Sequence, residues 1–387
     1  MIKGLVQPIA AGTLAAVVGF ASSFAVVVHG LVGAGASPAQ AASGLMAASV
    51  AMGLCGIVLS VRLRMPISAA WSTPGAALLA ASPPVAGGYS VAVGAFLLCG
   101  ALIVLAGALK PLGRLVGAIP APLASAMLAG VLLPLCLAPV HAVAVQPVAG
   151  LAIIATWALV GRVRRLLAVP AAVVVTGVCV ALGQTLPASI LADPWPHPLL
   201  VLPAFSVAAA VGTALPLFIV TMASQNIPGL AVLRINGYAP EPAPLLTVTG
   251  VGTMLAAPFC GHAVNLAAIT AALCAGPDAS ADPSRRWIAA FTTGVLYLVA
   301  GIFAGVATSF MAASPPVLIE AVAGLALLGA LGAALHTATA TPEAREPALV
   351  TFLVAAAGTT FLGVGGAFWG LLAGGAVLAL TRLNRRN

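Results

Sequence analysis

Met65-Pro-Ile-Ser-Ala-Ala-Trp-Ser-Thr-Pro74 interrupts an apolar stretch at 67–81, and its reading decides what the rest of the chain must be. Proline is favoured in the first turn of a helix and disrupts a helix interior. Pro74 therefore predicts a half-helix that starts inside an apolar segment, with Ser72 and Thr73 just ahead of it. The surroundings set its meaning. The 387 residues are 62% hydrophobic and 6% charged, whereas soluble domains carry roughly 25% charged residues. A chain this apolar cannot cover its own surface in water, so lipid must be its solvent. In lipid the backbone must pair within helices or closed barrels, and irregular backbone is tolerated only where it is buried in protein or lines a cavity. A broken apolar helix thus points to a cavity inside a membrane protein.

Apolar runs fall at 8–30, 41–60, 67–81, 89–109, 120–138, 147–161, 168–187, 203–223, 243–257, 260–275, 287–311, 315–335, 346–362 and 364–381. Many have the length a spanning helix needs, and none shows the period-2 alternation of a membrane barrel. The reading is an all-α polytopic protein of fourteen transmembrane segments. All fifteen Lys and Arg (among them Lys3, Arg62, Arg64, Lys110, Arg114, Arg234 and Arg345) lie before an odd run or after an even one. By the positive-inside rule, both termini face the cytoplasm. Orientation accounts for the net charge of +8, so no nucleic-acid partner is needed. The run after Met1-Ile2-Lys3 reads as a retained first helix rather than a signal peptide. Cys55, Cys99, Cys136, Cys179, Cys260 and Cys274 sit within or at the ends of apolar runs without a CxxC pair. They read as small hydrophobes, and neither metal nor cofactor is called for.

Fourteen runs divide into seven and seven, and an odd number inverts the second half. Ala16-Val-Val-Gly19 matches Ala209-Ala-Val-Gly212, and the opening stretch corresponds to Ala257-Pro-Phe-Cys-Gly-His-Ala-Val-Asn265 at the tenth run. Inverted repeats with interrupted segments at matching places point to a carrier's binding site.

Asp193, Glu241, Asp278, Asp282, Glu320, Glu343 and Glu346 all fall in loops or at run ends, so no charge marks the site. Three polar islands remain. The first holds Trp71, Ser72 and Thr73; a proline kink with hydroxyls on freed carbonyls is its other reading. The second holds His262 and Asn265, where Gly261 permits unwound backbone and Asn265 suits a helix N-cap. His262 is a candidate for proton coupling, although a lone histidine is more often structural. The third, at the end of the eighth run, holds Thr221, Gln225 and Asn226, read either as a cavity lining or as a cytoplasmic cap. Ser22 and Ser23 in the first run complete the set, with helix–helix hydrogen bonding as the alternative. Two facing half-helix N-termini without a buried cation suit a small monoanion, and Trp71 offers a flat wall for a ring.

These stretches resemble the benzoate/proton symporter family of bacteria, the BenE type. The resemblance is carried by Arg64–Ala80, by Ile119-Pro-Ala-Pro-Leu-Ala-Ser-Ala-Met-Leu-Ala-Gly-Val-Leu-Leu133, by Leu215–Gly229, by Asn265-Leu-Ala-Ala-Ile-Thr-Ala-Ala272 and by Ala367-Phe-Trp-Gly370. It implies proton-driven import of benzoate, or a related aromatic carboxylate, across the bacterial inner membrane. More distantly the chain is similar to the uracil permease and sulfate transporter superfamily. That similarity implies a seven-plus-seven inverted repeat, with short strands in the third and tenth runs. It also implies a core domain at 1–110 and 201–312, a gate domain at 111–200 and 313–387, and a homodimer as one arrangement. One departure stands out. Uracil permease has carboxylates where this chain reads Ser224-Gln225-Asn226 and Val264-Asn265. The proton therefore travels with the substrate or through His262.

The alternative within transport is another small organic anion or a nucleobase-like substrate of the same superfamily. A membrane enzyme would need a nucleophile–base pair or a metal cluster within the membrane, and a channel a continuous polar lining. The sequence offers neither.

Overall fold

The computed structural model describes residues 3–109, 120–183, 195–361 and 364–384. Lys110, Arg114, Asp193, Arg385 and Arg386 lie outside the described residues. Helices dominate: α1 (Lys3–Ala21), α2 (Phe24–Gly33), α3 (Pro38–Leu63), α4 (Thr73–Ala81), α5 (Tyr89–Ala108), α6 (Ala121–Val145), α7 (Pro147–Val163) and α8 (Ala168–Gly183). Then follow α9 (Val207–Ile235), α10 (Pro242–Ala256), α11 (Ile269–Ala275), α12 (Trp287–Ile302), α13 (Ala304–Ala313), α14 (Pro316–Thr339), α15 (Arg345–Ala356) and α16 (Gly366–Asn384). Among the described residues eight helical segments are long and apolar enough to cross a bilayer, α1 and α2 together forming one of them. A ninth is added if α12 and α13, bent by 57° at their junction, count as one span. This is a multi-pass membrane protein. Its outer surface carries large apolar side chains such as Val148, Leu182 and Leu255, as a lipid-facing surface requires.

Two strands cross at the centre, β1 (Ala69–Trp71) and β2 (Val264–Leu266), each leading into a short helix. They pair antiparallel with Ala70 opposite Asn265. The ladder continues through Ala267 N–H to the Ser68 carbonyl at 2.9 Å and Ser72 N–H to the Ala263 carbonyl at 2.8 Å. Two such short strands are marginal in water. In a membrane interior they persist because each satisfies the other's backbone, which has no water to turn to.

The register places the two islands 195 residues apart (Ala70 to Asn265), three more than matching Pro66 with Pro258 implies. The reason is local. After α10 the chain makes a 3-10 turn at Ala257–Phe259 before β2 begins. The left-handed residue of that turn is Cys260, at φ 71°, and Gly261 follows it. The Cys260 carbonyl is held by the Tyr89 hydroxyl at 2.9 Å.

The helices around the crossing approach closely at glycine pairs. A side chain at Gly53 of α3 would strike the Gly294 carbonyl of α12, and one at Gly294 would strike the Gly53 carbonyl. Gly100 of α5 and Gly250 of α10 are related in the same reciprocal way. Exchanging α3 with α10 and α5 with α12 turns one crossing into the other, as exchanging β1 with β2 preserves the ladder. Small residues at such points are what let membrane helices pack backbone to backbone.

Candidate functional site

Each break beside the strand crossing has a side-chain cause. Between α1 and α2 the Gly19 carbonyl is taken by the hydroxyls of Ser22 at 3.4 Å and Ser23 at 2.9 Å. Hydroxyls that compete for backbone carbonyls interrupt helices, and Ser23 sits at φ −144°. The Ser23 hydroxyl in turn accepts the Trp71 indole N–H at 2.8 Å, which ties α2 to β1. The Trp71 ring packs on Phe20 with centroids 5.2 Å apart.

In α9 the break is subtler. The helix stays continuous but widens into a π turn at Met222–Asn226. Such a turn inserts one residue and re-aims its neighbours, and it is frequent at functional sites. Here it delivers Asn226 to β2, where its side-chain oxygen accepts the Leu266 N–H at 2.9 Å. Ser224 and Gln225 consequently face a cavity.

That cavity, of about 440 Å³, lies beside the strand crossing. Of the residues expected from sequence, Ser22, Ser23, Trp71, Thr73 and Gln225 line it. Ser72, Thr221, Asn226, His262 and Asn265 do not; all five are buried behind it, and all but His262 hydrogen-bond at or beside the crossing. The Ser72 and Thr221 hydroxyls share a hydrogen bond of 2.8 Å, and Ser72 also caps α4 by accepting the Gly75 N–H at 3.1 Å. The Asn265 amide donates to the Leu266 carbonyl at 2.9 Å and accepts the Ser72 N–H at 3.1 Å. His262 is fully enclosed, and among the described residues neither ring nitrogen makes a hydrogen bond of ordinary geometry.

Sequence reading missed Gly19, Ser125, Thr270, Tyr297 and Thr337, which also line the cavity. Thr270 ends the second island, and its hydroxyl meets Ser68 at 2.8 Å. Tyr297 stands alone in an apolar run. A lone tyrosine among membrane residues is a usable signal, because its hydroxyl needs a polar partner or a wet cavity.

Among the described residues, no charged side chain and no histidine line this cavity. The α4 N-terminus is partly satisfied by its own Ser72 cap. At seven residues α11 makes only two turns and supplies little macrodipole. The recognition chemistry therefore falls on neutral side chains. Two of them, Gln225 and Thr73, form no side-chain hydrogen bond among the described residues. Free donors beside the Trp71 and Tyr297 rings can bind a planar ring that carries a polar group.

A family model described as "Benzoate membrane transport protein" matches residues 5–380. The Escherichia coli protein named "Inner membrane protein YdcO" is 40% identical over 376 residues, covering 96% of this chain and 95% of its own. An Acinetobacter baylyi protein named "Benzoate membrane transport protein" is 31% identical over 366 residues, covering 94% and 92%. Among solved structures, the transmembrane domain of a cyanobacterial bicarbonate transporter, BicA, superposes with a TM-score of 0.59 at 16% identity, covering 99% of this chain and 96% of that one. The murine Solute Carrier 26 family member A9 anion transporter, in its inward-facing state, gives 0.62 at 13% identity, covering 100% and 69%. These two establish likeness of fold alone.

Proposed function

The chain belongs to the benzoate membrane transport protein family, and on that premise we propose that it imports benzoate together with a proton by alternating access. The observation that carries this reading is the uncharged cavity at the strand crossing, where Gln225 and Thr73 are free to bind a carboxylate beside the Trp71 ring. Ser22 and Ser23 complete the first contacts. The buried set Ser72, Thr221, Asn226 and Asn265 acts through them by holding the crossing in register.

The architecture we propose is fourteen crossings in two inverted halves of seven. The reciprocal glycine pairs and the self-complementary register of β1 and β2 support it. The core domain comprises 1–110 and 201–312, and the gate comprises 111–200 and 313–387. Both termini then face the cytoplasm of a bacterium, across its inner membrane, because every Lys and Arg lies before an odd apolar run or after an even one.

Two routes serve the proton. It travels on benzoate itself as the neutral acid, or it travels on His262, whose unpartnered nitrogens need an explanation in a buried site. His262→Gln separates them: accumulation driven by a pH gradient survives under the first route and is lost under the second. Ligand binding stabilises only the state that recognises it. Benzoate should therefore raise the thermal stability of the purified protein more than aliphatic acids or uracil do. A larger shift with one of the latter would reassign the substrate.

A further inference from the structure

The cavity beside the strand crossing has two unlike walls. One surrounds the crossing and carries Ser22, Ser23, Thr73 and Gln225. The other comes from α6 and α14, which pack so closely that a side chain at Gly324 of α14 would strike the Leu135 carbonyl of α6. This second wall is mostly apolar, with Leu128, Ala330 and Ala333 among its members. Among the described residues only two of its side chains are polar, Ser125 of α6 and Thr337 of α14.

The two hydroxyls are not equivalent. A hydroxyl on a helix within a membrane can close on the carbonyl four residues back. Ser49 does so on Leu45 at 2.6 Å, Thr176 on Ala172 at 2.8 Å and Thr249 on Leu245 at 3.0 Å. Thr337 follows them, donating to the Ala333 carbonyl at 3.1 Å, so its proton is spent. Ser125 stands four residues after Ala121 in the same kind of helix, yet it forms no side-chain hydrogen bond among the described residues. It is half-buried and lines the cavity. A polar group withdrawn from water costs free energy until it finds a partner. The partner for Ser125 is therefore to be sought in what the cavity holds.

Volume points the same way. About 440 Å³ falls within the roughly 300–1,000 Å³ of pockets that enclose drug-sized ligands, and one unsubstituted ring fills only part of it. The small side chains of Ala330 and Ala333 leave room for a ring substituent along this wall.

We propose that Ser125 is a specificity-determining residue that hydrogen-bonds a hydroxyl on the substrate's ring, so that the preferred cargo is a hydroxylated benzoate. The inference rests on the aromatic-carboxylate reading above, in which Gln225 and Thr73 take the carboxylate. The ring hydroxyl must stand away from that end, at the meta or para carbon. An ortho hydroxyl folds back on its own carboxylate and keeps no proton for α6. Phenol and serine hydroxyls each donate and accept, so the pair is self-consistent in either direction. A methyl substituent fills similar space and offers neither, which separates hydrogen bonding from packing.

The test is titration calorimetry of the purified full-length protein with benzoate, with 2-, 3- and 4-hydroxybenzoate and with 3- and 4-methylbenzoate. Each affinity is divided by that of benzoate for the same protein, which cancels any loss of folded material. Wild type should bind 3- or 4-hydroxybenzoate about fivefold or more tighter than benzoate, as one net hydrogen bond provides. The 2-hydroxy and methyl acids should show no such gain. Ser125→Ala should bring the ratio to about one. The proposal is overturned if wild type does not prefer the hydroxylated acids or if the methyl acids gain as much. It is equally overturned if the ratio survives Ser125→Ala, as it would were Ser125 a ligand of the carboxylate. Failure of benzoate and all its relatives to bind would refute the aromatic-carboxylate reading itself, and this assignment with it.

Discussion

Replacing Gly19 by alanine tests the geometry of the cavity beside the strand crossing at one atom. The new methyl would overlap the hydroxyl of Tyr297 and would lie 2.9 Å from Cγ2 of Thr270. Tyr297 is 1% exposed, so its ring can yield only toward the cavity it lines. Gly→Ala in a helix ordinarily gains about 1 kcal/mol. Overpacking a rigid site costs about 1–3 kcal/mol, so the overlap should win and Gly19→Ala should destabilise. Tyr297→Phe removes the offending atom and leaves the ring carbon Cζ 3.3 Å from the methyl. In the double variant the helix gain should reappear and much of the stability should return. Thermal unfolding of the four proteins of this cycle in one detergent gives the coupling, expected at about 1–2 kcal/mol in the favourable sense. Additive effects, with Gly19→Ala equally harmful in both backgrounds, would refute the packing described for α1 against α12.

Further outcomes follow from named contacts. Asn226→Ala strands the buried Leu266 N–H and should cost about 2–4 kcal/mol, whereas Asn226→Asp keeps an acceptor and should cost less; chemical denaturation distinguishes them. Gln225→Ala should weaken benzoate binding about tenfold, the equivalent of one lost hydrogen bond to a carboxylate, with little change in stability. Titration calorimetry reads the first effect and thermal unfolding the second. Arg286, 8% exposed, donates to the carbonyls of Ser280 and Ala275 at 2.8 and 2.9 Å and so ties down the end of α11. Arg286→Ala should destabilise by about 2–4 kcal/mol, and Arg286→Lys should recover only part, since one ammonium does not reproduce the planar fork. In the loop before α12, hydrogen bonds from the Ser284 hydroxyl and backbone hold the Asp282 carboxyl below its usual range. A lowered folded pKa contributes stability at neutral pH that is lost as pH falls through it. Asp282→Asn should flatten that part of the pH–stability curve.

Much of this was legible in the sequence, and the limits have physical causes. Pro74 marked the start of α4 because proline has a positional preference that survives any context. Ser22, Ser23, Trp71, Thr73 and Gln225 were found because polar side chains in an apolar run need a reason to be there. Whether such a residue faces the cavity or the structure behind it depends on direction, which a broken segment hides. On a strand, neighbours point to opposite faces, so Asn265 could be placed at the crossing but not on its cavity side. In α9 the π turn shifts the helical phase by one residue, which sends Gln225 to the cavity and Asn226 to β2. Gly19 and Tyr297 escaped because their meaning lies in a contact between distant helices that apolar periodicity does not encode.

The central claim concerns a carrier that moves benzoate with a proton, and accumulation is its most direct measure. Proteoliposomes with an alkaline interior, placed in acidic medium with labelled benzoate, should take it up at an initial rate well beyond that of protein-free vesicles in the same gradient. A protonophore should abolish the excess, and Gln225→Ala should reduce it. Equal initial rates in vesicles with and without the protein would contradict the account.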